Sequence, residues 1–280
     1  MSGTKRNRID TTPGNTLSPW EIVAIARHQE RPVLQDYISL LCSDFIELHG
    51  DRFYGDDRAL IGGFATIDGT RVMLIGHNKG KNVEENIERN FGMARPEGYR
   101  KALRLMKLAE MYGLPIVTLV DTPGAYPGID SEERGVAEAI AKNLFEMSRL
   151  AVPIITVISG EGGSGGALGI AVADRIFMLE NSIYSVISPE GCAAILWRDS
   201  SFAPQAAEAL KLTAADLLEL GVIDGIISEP AGGAHTDHEK TAQSLKHSIS
   251  KNVKLLAVLT KDELIALRFK KLSAMGKFTV

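Results

Sequence analysis

Five of the seven residues from 160 to 166 (GEGGSGG) are glycines, so the chemistry open to this segment rests mainly on backbone atoms. Gly160, Gly162 and Gly165 have the G-x-G-x-x-G spacing of a dinucleotide site, and Glu180 follows where a ribose-binding acid would stand. However, the helix predicted after the glycines is only about nine residues long, and a similar strand–loop–helix unit precedes it, whereas this fingerprint usually opens its domain. A dinucleotide site is therefore not favoured.

The same segment also fits G-x-S-x-G, the nucleophile elbow of a hydrolase, through Gly162, Ser164 and Gly166. Acids and histidines follow in the chain order that a serine hydrolase needs: Asp224, His235, Asp237, His238 and His247. Most of them lie in or near the polar run GGAHTDHEK, which is typical of a surface loop, and a serine at a helix start is more readily an N-cap. A serine hydrolase that uses Ser164 stays an alternative.

A third interpretation needs no side chain at all. Consecutive glycine amides at a helix N-terminus can bind an anion, and they can stabilise the negative charge that develops on an enolate or urea-type oxygen. Glycine suits this role because a Cβ would block the close approach of a ligand to the backbone. The competing explanation is tight helix–strand packing, which would make the chain a non-catalytic scaffold.

Composition narrows the class of protein. The chain has 280 residues and a net charge of −4 that is spread along it, which argues against nucleic acid as the main partner. Cys42 and Cys192 form no C-x-x-C pair, so we expect no metal site on this chain. Few thiols, no secretory signal and no long apolar stretch predict a cytoplasmic protein that does not interact with membranes.

Two strand–loop–helix units stand in tandem. The apolar run at 114–120 leads into the loop DTPGAYPG (121–128), and the run at 153–159 leads into the glycines, with a helix predicted over 164–173. Alternating strands and helices predict an α/β core with parallel pairing, in which ligands bind beyond the carboxyl ends of the strands. Both loops are therefore expected at one functional edge of the sheet.

The flanking segments complete the predicted organisation. Residues 1–17 are polar and without periodicity, typical of a disordered tail, and residues 18–280 are assigned to a single domain. Ser18 and Pro19 predict a helix start, and Thr213 predicts the N-cap of a short helix that ends at Gly221. Asp68-Gly69 predicts a hairpin turn between two β-rich runs. From about residue 236 the chain is amphipathic and helical.

Six segments resemble, in order, the alpha subunits of bacterial acetyl-CoA carboxylase carboxyltransferases. An ordered set over about residues 18 to 275 is far more specific than any one glycine motif. The segments are RNFGMARPEGYRKALRLMKLAE (89–110), DTPGAYPG (121–128), EERG (132–135), GEGGSGGALGI (160–170), YSVISPEGCAAILW (184–197) and SEPAGGAH (228–235).

This resemblance implies a crotonase-like spiral of repeated β-β-α units. It also implies transfer of a carboxyl group from carboxybiotin, held on a separate biotin carboxyl carrier protein, to acetyl-CoA, giving malonyl-CoA in the first committed step of fatty acid synthesis. The implied partners are a beta subunit in an α2β2 assembly, the carrier protein and biotin carboxylase. In the family the zinc site belongs to beta, which agrees with the lack of a cysteine cluster here.

The resemblance also assigns roles to residues. It implies that the amides of Gly165 and Gly166 hold the ureido oxygen of biotin, so that the protein contributes electrostatics and positioning rather than a side-chain base. The other candidates are assigned to substrate binding because they lie in the two loops of the same edge: Gly162, Gly163, Ser164, Gly124, Ala125 and Tyr126.

Overall fold

The computed structural model describes residues 17–276, in which eight strands form one mixed sheet. The hydrogen-bonded order is β1-β2-β3-β4-β5-β6-β8, with β7 paired to the end of β5. The strands are β1 Cys42–Glu47, β2 Leu60–Ile67, β3 Thr70–His77, β4 Ile116–Thr122, β5 Ile154–Gly163, β6 Arg175–Leu179, β7 Ile183–Ser185 and β8 Gly225–Ile227.

Helices cover both faces of this sheet. Single helical turns at 90–92, 200–202 and 234–236 accompany them. The helices are α1 Pro19–Ala26, α2 Leu34–Leu41, α3 Val83–Glu88, α4 Pro96–Tyr112, α5 Ile129–Glu133, α6 Val136–Met147, α7 Ser164–Leu168, α8 Pro189–Trp197, α9 Ala203–Leu210, α10 Ala214–Glu219, α11 His238–Leu256 and α12 Lys261–Ser273.

The predicted α/β core with parallel pairing is confirmed. β1, β2 and β3 are antiparallel, whereas β3 to β6 and β8 run parallel, each beside the next. The predicted hairpin joins β2 to β3, where Asp68 and Gly69 have positive φ angles of 49° and 73°, as a tight hairpin turn requires. The predicted tail lies, but for Leu17, outside the described residues.

The two central strands, β4 and β5, are buried on both faces, which explains their nearly continuous apolar sequences. One set of their side chains packs with α4 and α6, and the alternate set packs with α2 and α11. Thr118 and Thr156 are polar exceptions, and their hydroxyl oxygens satisfy each other at 2.7 Å. The core therefore fixes β4 and β5 rigidly, and both lead into the predicted functional loops.

Two helix starts follow their predicted caps, but one helix is shorter than predicted. Ser18 forms a capping box with Glu21 on α1, and the Thr213 hydroxyl accepts from the Asp216 amide at the start of α10. By contrast, α7 ends at Leu168 rather than at 173. After Gly169, the Ile170 and Ala171 amides donate to the carbonyls three residues earlier, so the helix passes into a tighter turn. Gly169 itself packs closely, since a Cβ there would meet the Tyr99 ring at 2.6 Å.

A buried arginine fastens α12 to the amino ends of the parallel strands. The Arg268 side chain is 1% exposed and donates to both carboxylate oxygens of Asp174 at 2.8 Å. Its remaining N–H groups reach three main-chain carbonyls, while Asp174 also accepts from the Ile154 amide at 2.7 Å. The ion pair is therefore fully hydrogen-bonded, and neither member can be removed alone without leaving a buried charge.

We predict that Arg268→Met lowers the free energy of unfolding by about 3–5 kcal/mol, because the Asp174 charge and three carbonyls lose their partner. The measurement is urea denaturation of the purified chain. Leu267→Ala is the control on the same helix, since that side chain is 52% exposed and its loss is expected to cost no more than about 0.5 kcal/mol. Equal midpoints for the two variants would contradict the prediction.

Candidate active site

The two predicted loops meet at the carboxyl edge of the sheet, as expected from the sequence. β5 does not end at 159 but continues through Gly163, and α7 begins directly at Ser164. The loop 123–126 follows β4 and lies against the end of β5 and the start of α7. The glycine segment is therefore a sharp strand-to-helix turn rather than a long loop.

Close packing explains several of the glycines. A Cβ on Gly163 would overlap the Pro123 carbonyl, and a Cβ on Gly166 would overlap the backbone of Gly124 and Ala125. Gly162 similarly faces the Tyr184 ring at 2.7 Å. Close packing thus accounts for these three positions, because the two backbones touch at Gly163 and Gly166 and the Tyr184 ring fills the space beside Gly162.

Gly165 is different, because packing does not require it. A Cβ there would find only the Ile140 Cδ1 atom, at 3.9 Å, and the residue borders a pocket of about 340 Å³. The other walls of this pocket are mostly apolar: Leu168, Tyr184, Val186, Leu217 and Val222, with the two serines Ser164 and Ser185. Burial raises the pKa of Tyr184 to about 12, so its phenol stays neutral.

Two main-chain N–H groups of the glycine turn have no hydrogen-bond partner in the described part of the chain. No acceptor among residues 17–276 takes the amide of Gly165 or Gly166, which are at the start of α7. The Gly166 carbonyl accepts from the Tyr99 hydroxyl at 3.3 Å, and Asn143 donates to the Gly169 carbonyl at 2.9 Å. These bonds hold α7 against α4 and α6, so the two amides are fixed in direction.

Ser164 is neither the predicted N-cap nor part of a catalytic triad. Gly163 occupies the N-cap position, without a side-chain cap, and Ser164 is exposed with a left-handed φ of 49°. In the described part of the chain, no histidine or carboxylate hydrogen-bonds its hydroxyl. The strained serine does have the backbone of a nucleophile elbow, but it lacks the base that would activate a nucleophile.

Four of the five acids and histidines proposed from chain order are engaged elsewhere, and the fifth, His247, lies exposed on α11. Asp237 caps α11 by accepting from the Lys240 amide, and His238 hydrogen-bonds the Glu30 carbonyl. Asp224 pairs with Arg175 and Lys271 at the amino end of β6, whereas Ser164 follows the carboxyl end of β5. His235 stacks on His28 with ring centroids 3.8 Å apart.

The loop after β4 is shaped by its own hydrogen bonds. The Thr122 hydroxyl donates to the Gly124 carbonyl at 2.7 Å, and the Tyr126 amide donates to the Ala94 carbonyl at 3.0 Å. The Arg95 guanidinium lies over the Tyr126 ring, 4.5 Å from its centroid. Gly124 and Ala125 thus support Gly166 through the backbone. Substrate binding by these residues stays a prediction.

The sequence interpretation missed the charged residues that surround the strand ends. Lys79 contacts Asp121 and Glu161, and Arg27 contacts Glu161 as well. Burial opposes the charge of Glu161, yet the two cations hold its pKa below the usual range, and both carboxylates keep the pKa of Lys79 raised against its own burial. The sequence signals for this charged cluster were Asp121 at the end of an apolar strand and Glu161 among the glycines.

No group of side chains that could hold a metal ion is found between residues 17 and 276. Within the same range, no helix is long and apolar enough to cross a membrane. Cys42 and Cys192 are both free thiols.

Solved structures with a similar fold are acyl-CoA carboxylases and related enzymes. The beta subunit of Pseudomonas aeruginosa geranyl-CoA carboxylase matches with a TM-score of 0.65 and 17% identity, over 90% of this chain and 48% of that one. A transcarboxylase 12S structure with bound methylmalonyl-coenzyme A matches with a TM-score of 0.61 and 24% identity, over 85% and 46%. The fold is therefore that of the crotonase-like carboxyltransferases, as the sequence predicted.

Sequence comparison defines the family. Residues 3–276 match the family model described as acetyl co-enzyme A carboxylase carboxyltransferase-like. The acetyl-coenzyme A carboxylase carboxyl transferase subunit alpha of Geobacter metallireducens is 60% identical over 94% of this chain and 82% of its own length. That of Methylococcus capsulatus is 56% identical over 98% and 85%. The chain belongs to the family of acetyl-CoA carboxylase carboxyltransferase alpha subunits.

We predict opposite stability changes for alanine at two glycines of the turn. Gly165→Ala is expected to keep or raise the free energy of unfolding, by up to about 1 kcal/mol, because its Cβ enters open space. Gly163→Ala is expected to lose about 1–3 kcal/mol or more, because the Pro123 carbonyl must move. Urea denaturation of both variants measures the difference, and a Gly165→Ala variant at least as unstable as Gly163→Ala would refute this geometry.

Proposed function

We propose that this chain provides the biotin-facing half of an acetyl-CoA carboxylase carboxyltransferase. Members of the family transfer a carboxyl group to acetyl-CoA, and malonyl-CoA is the product. The observation that carries the proposed half-site is the pair of free amides at Gly165 and Gly166, the first of which belongs to a residue that borders a small apolar pocket. An anionic oxygen next to an apolar ring is the ligand chemistry that this combination favours.

The residues present fit biotin. The pocket of about 340 Å³ suits a small bicyclic ring, its walls are largely apolar, and no charged side chain lines it. Carboxybiotin, when bound, supplies the carboxyl group and a ureido group that can take up a proton. The Gly165 and Gly166 amides would stabilise the negative charge on its oxygen, and Leu168 and Tyr184 would exclude water. Such a site needs no side-chain base on this chain.

The proposal extends to partners. The relatives that this chain matches are named alpha subunits, which supports a second part of the site on another subunit. We assign that part to a beta subunit in an α2β2 assembly, with acetyl-CoA bound largely by beta. A biotin carboxyl carrier protein would deliver carboxybiotin that biotin carboxylase has charged. The free thiols agree with a cytoplasmic location.

The two alternative functions have less support. A serine hydrolase lacks an assembled triad at Ser164, as described above. A non-catalytic scaffold would explain Gly163 and Gly166, which pack against the loop 123–125, but it does not explain Gly165, where a side chain would meet no obstacle. The open glycine is therefore the position that separates a catalytic role from a packing role.

We predict that Gly165→Val lowers the rate of malonyl-CoA formation by about 10²–10³-fold, because its side chain would enter the pocket and keep the oxyanion from the amides. Gly166→Val is a poorer test, since its Cβ would displace the loop backbone. The assay uses the complex with a beta subunit, and size-exclusion chromatography verifies assembly.

We predict that Ser164→Ala retains at least about a tenth of the activity, whereas loss of a true nucleophile removes essentially all of it. Ser164→Ala and Gly165→Val are compared in the same assembled complex, with matched protein concentrations. A dead Ser164→Ala enzyme beside an active Gly165→Val enzyme would exclude the proposed oxyanion site and favour a hydrolase-like mechanism.

We also predict that the chain alone forms no malonyl-CoA above the uncatalysed background. Acetyl-CoA and a carboxybiotin derivative are mixed with the purified chain, with and without an added beta subunit. The expected result is turnover only in the mixture, because this chain contributes one half of the site. Robust turnover by the isolated chain would show that both halves lie on it.

A further inference from the structure

A bulge at the end of β5 determines where the glycine turn points. Val120 pairs with Ile158, but the next pair across the same two strands is Thr122 with Gly162. β5 therefore has two more residues than β4 over this interval. Beyond the bulge, the end of β5 pairs with β7 instead of β6, so the strand has been redirected just before α7.

One lysine ammonium connects the two strands at this bulge. The Lys79 Nζ atom lies 2.7 Å from Asp121 Oδ1 on β4 and 3.1 Å from Glu161 Oε2 on β5. The same Asp121 oxygen accepts from the Glu161 main-chain amide at 2.9 Å. Asp121 thus holds the bulged backbone directly, and Lys79 keeps two neighbouring carboxylates together.

Neighbouring residues restrict the conformations that the Lys79 side chain can adopt. Asn90, Phe91 and Gly92 are three successive left-handed residues, and a Cβ on Gly92 would lie 2.9 Å from the Lys79 Cγ atom. This turn covers the lysine stem, whose side chain is 17% exposed. On the other side, Arg27 binds Glu161 at 2.6 Å, so the bulge is surrounded by ordered charges.

We propose that Lys79 is a positioning residue of the carboxyltransferase, because it fixes the bulge that aims the Gly165 and Gly166 amides. This inference rests on the proposed role of those amides. Without the ammonium, Asp121 and Glu161 repel each other, and the Glu161 amide loses its fixed acceptor. Displacement of a catalytic group by about 1 Å can reduce the rate about 10²-fold, which sets the expected effect.

The test compares Lys79→Met and Lys79→Arg with Lys271→Met in the assembled complex. Lys271 is a matched control because it pairs with Asp224, is 19% exposed and lies at the opposite end of the sheet. We expect Lys79→Met to lower kcat by about 10–100-fold with less than about a threefold change in the KM for acetyl-CoA. Lys79→Arg should recover part of this loss, and Lys271→Met should keep kcat.

A second measurement does not depend on activity. The chain is labelled with ¹⁵N and ¹³C, and the amide resonances of Gly165 and Gly166 are assigned sequentially by triple-resonance spectroscopy. We expect both resonances to move in Lys79→Met and to stay in place in Lys271→Met. Unmoved resonances, or an equal fall of kcat in both methionine variants, would overturn the positioning role.

The two proposals fail in different ways. If moved resonances in Lys79→Met accompany normal kcat, while Gly165→Val is also fully active, the amides are not the catalytic groups and both proposals fall. If Gly165→Val is inactive but Lys79→Met has normal kcat and unmoved resonances, the oxyanion site stands and only the role of Lys79 is rejected.

Discussion

The structure of the site depends on direct contact between two backbones. The loop 123–125 lies against Gly163 and Gly166 where side chains would otherwise separate them. This contact is possible because β4 and β5 are adjacent, parallel and buried on both faces, so their carboxyl ends emerge side by side. This contact requires glycine at positions 163 and 166 for reasons of space. Gly165 takes no part in it and borders a ligand pocket instead.

The carboxylates of Asp121 and Glu161, at the ends of β4 and β5, also need partners of opposite charge. Two carboxylates at adjoining strand ends are stable only because cations from distant parts of the chain reach them. Lys79 comes from the segment after β3, and Arg27 follows α1, where it also contacts Glu190 at the start of α8. The strand ends, the first helix and α8 are consequently joined through one set of ion pairs. A change in any of these elements reaches the glycine turn through a short series of contacts.

The sequence predicted the parts of this arrangement that depend on local pattern. Apolar runs located β4 and β5, cap residues located the starts of α1 and α10, and ordered motifs identified the family. It could not show that β5 continues to Gly163, because glycine has no side-chain periodicity that marks a strand. Ser164 was expected to cap α7, but it is the first residue of that helix, with a left-handed φ of 49°, and Gly163 occupies the N-cap position. Asp121 and Glu161 are visible in the sequence at the two strand ends, but their pairing with Lys79 is a tertiary contact that no local pattern predicts.

The proposed use of backbone amides as catalytic groups has a consequence for how the enzyme can be divided between polypeptides. Side-chain acid–base catalysis requires a titrating group held within hydrogen-bond reach of the proton that it transfers. Amide donors instead act on whichever oxygen carries negative charge, and each set of donors needs only its own rigid support. Here that support is complete within one chain: the sheet, the loop 123–126 and the ion pairs around Glu161. In the proposed enzyme, a second polypeptide would then contribute the other set of donors across the pocket, without sharing any residue of this chain.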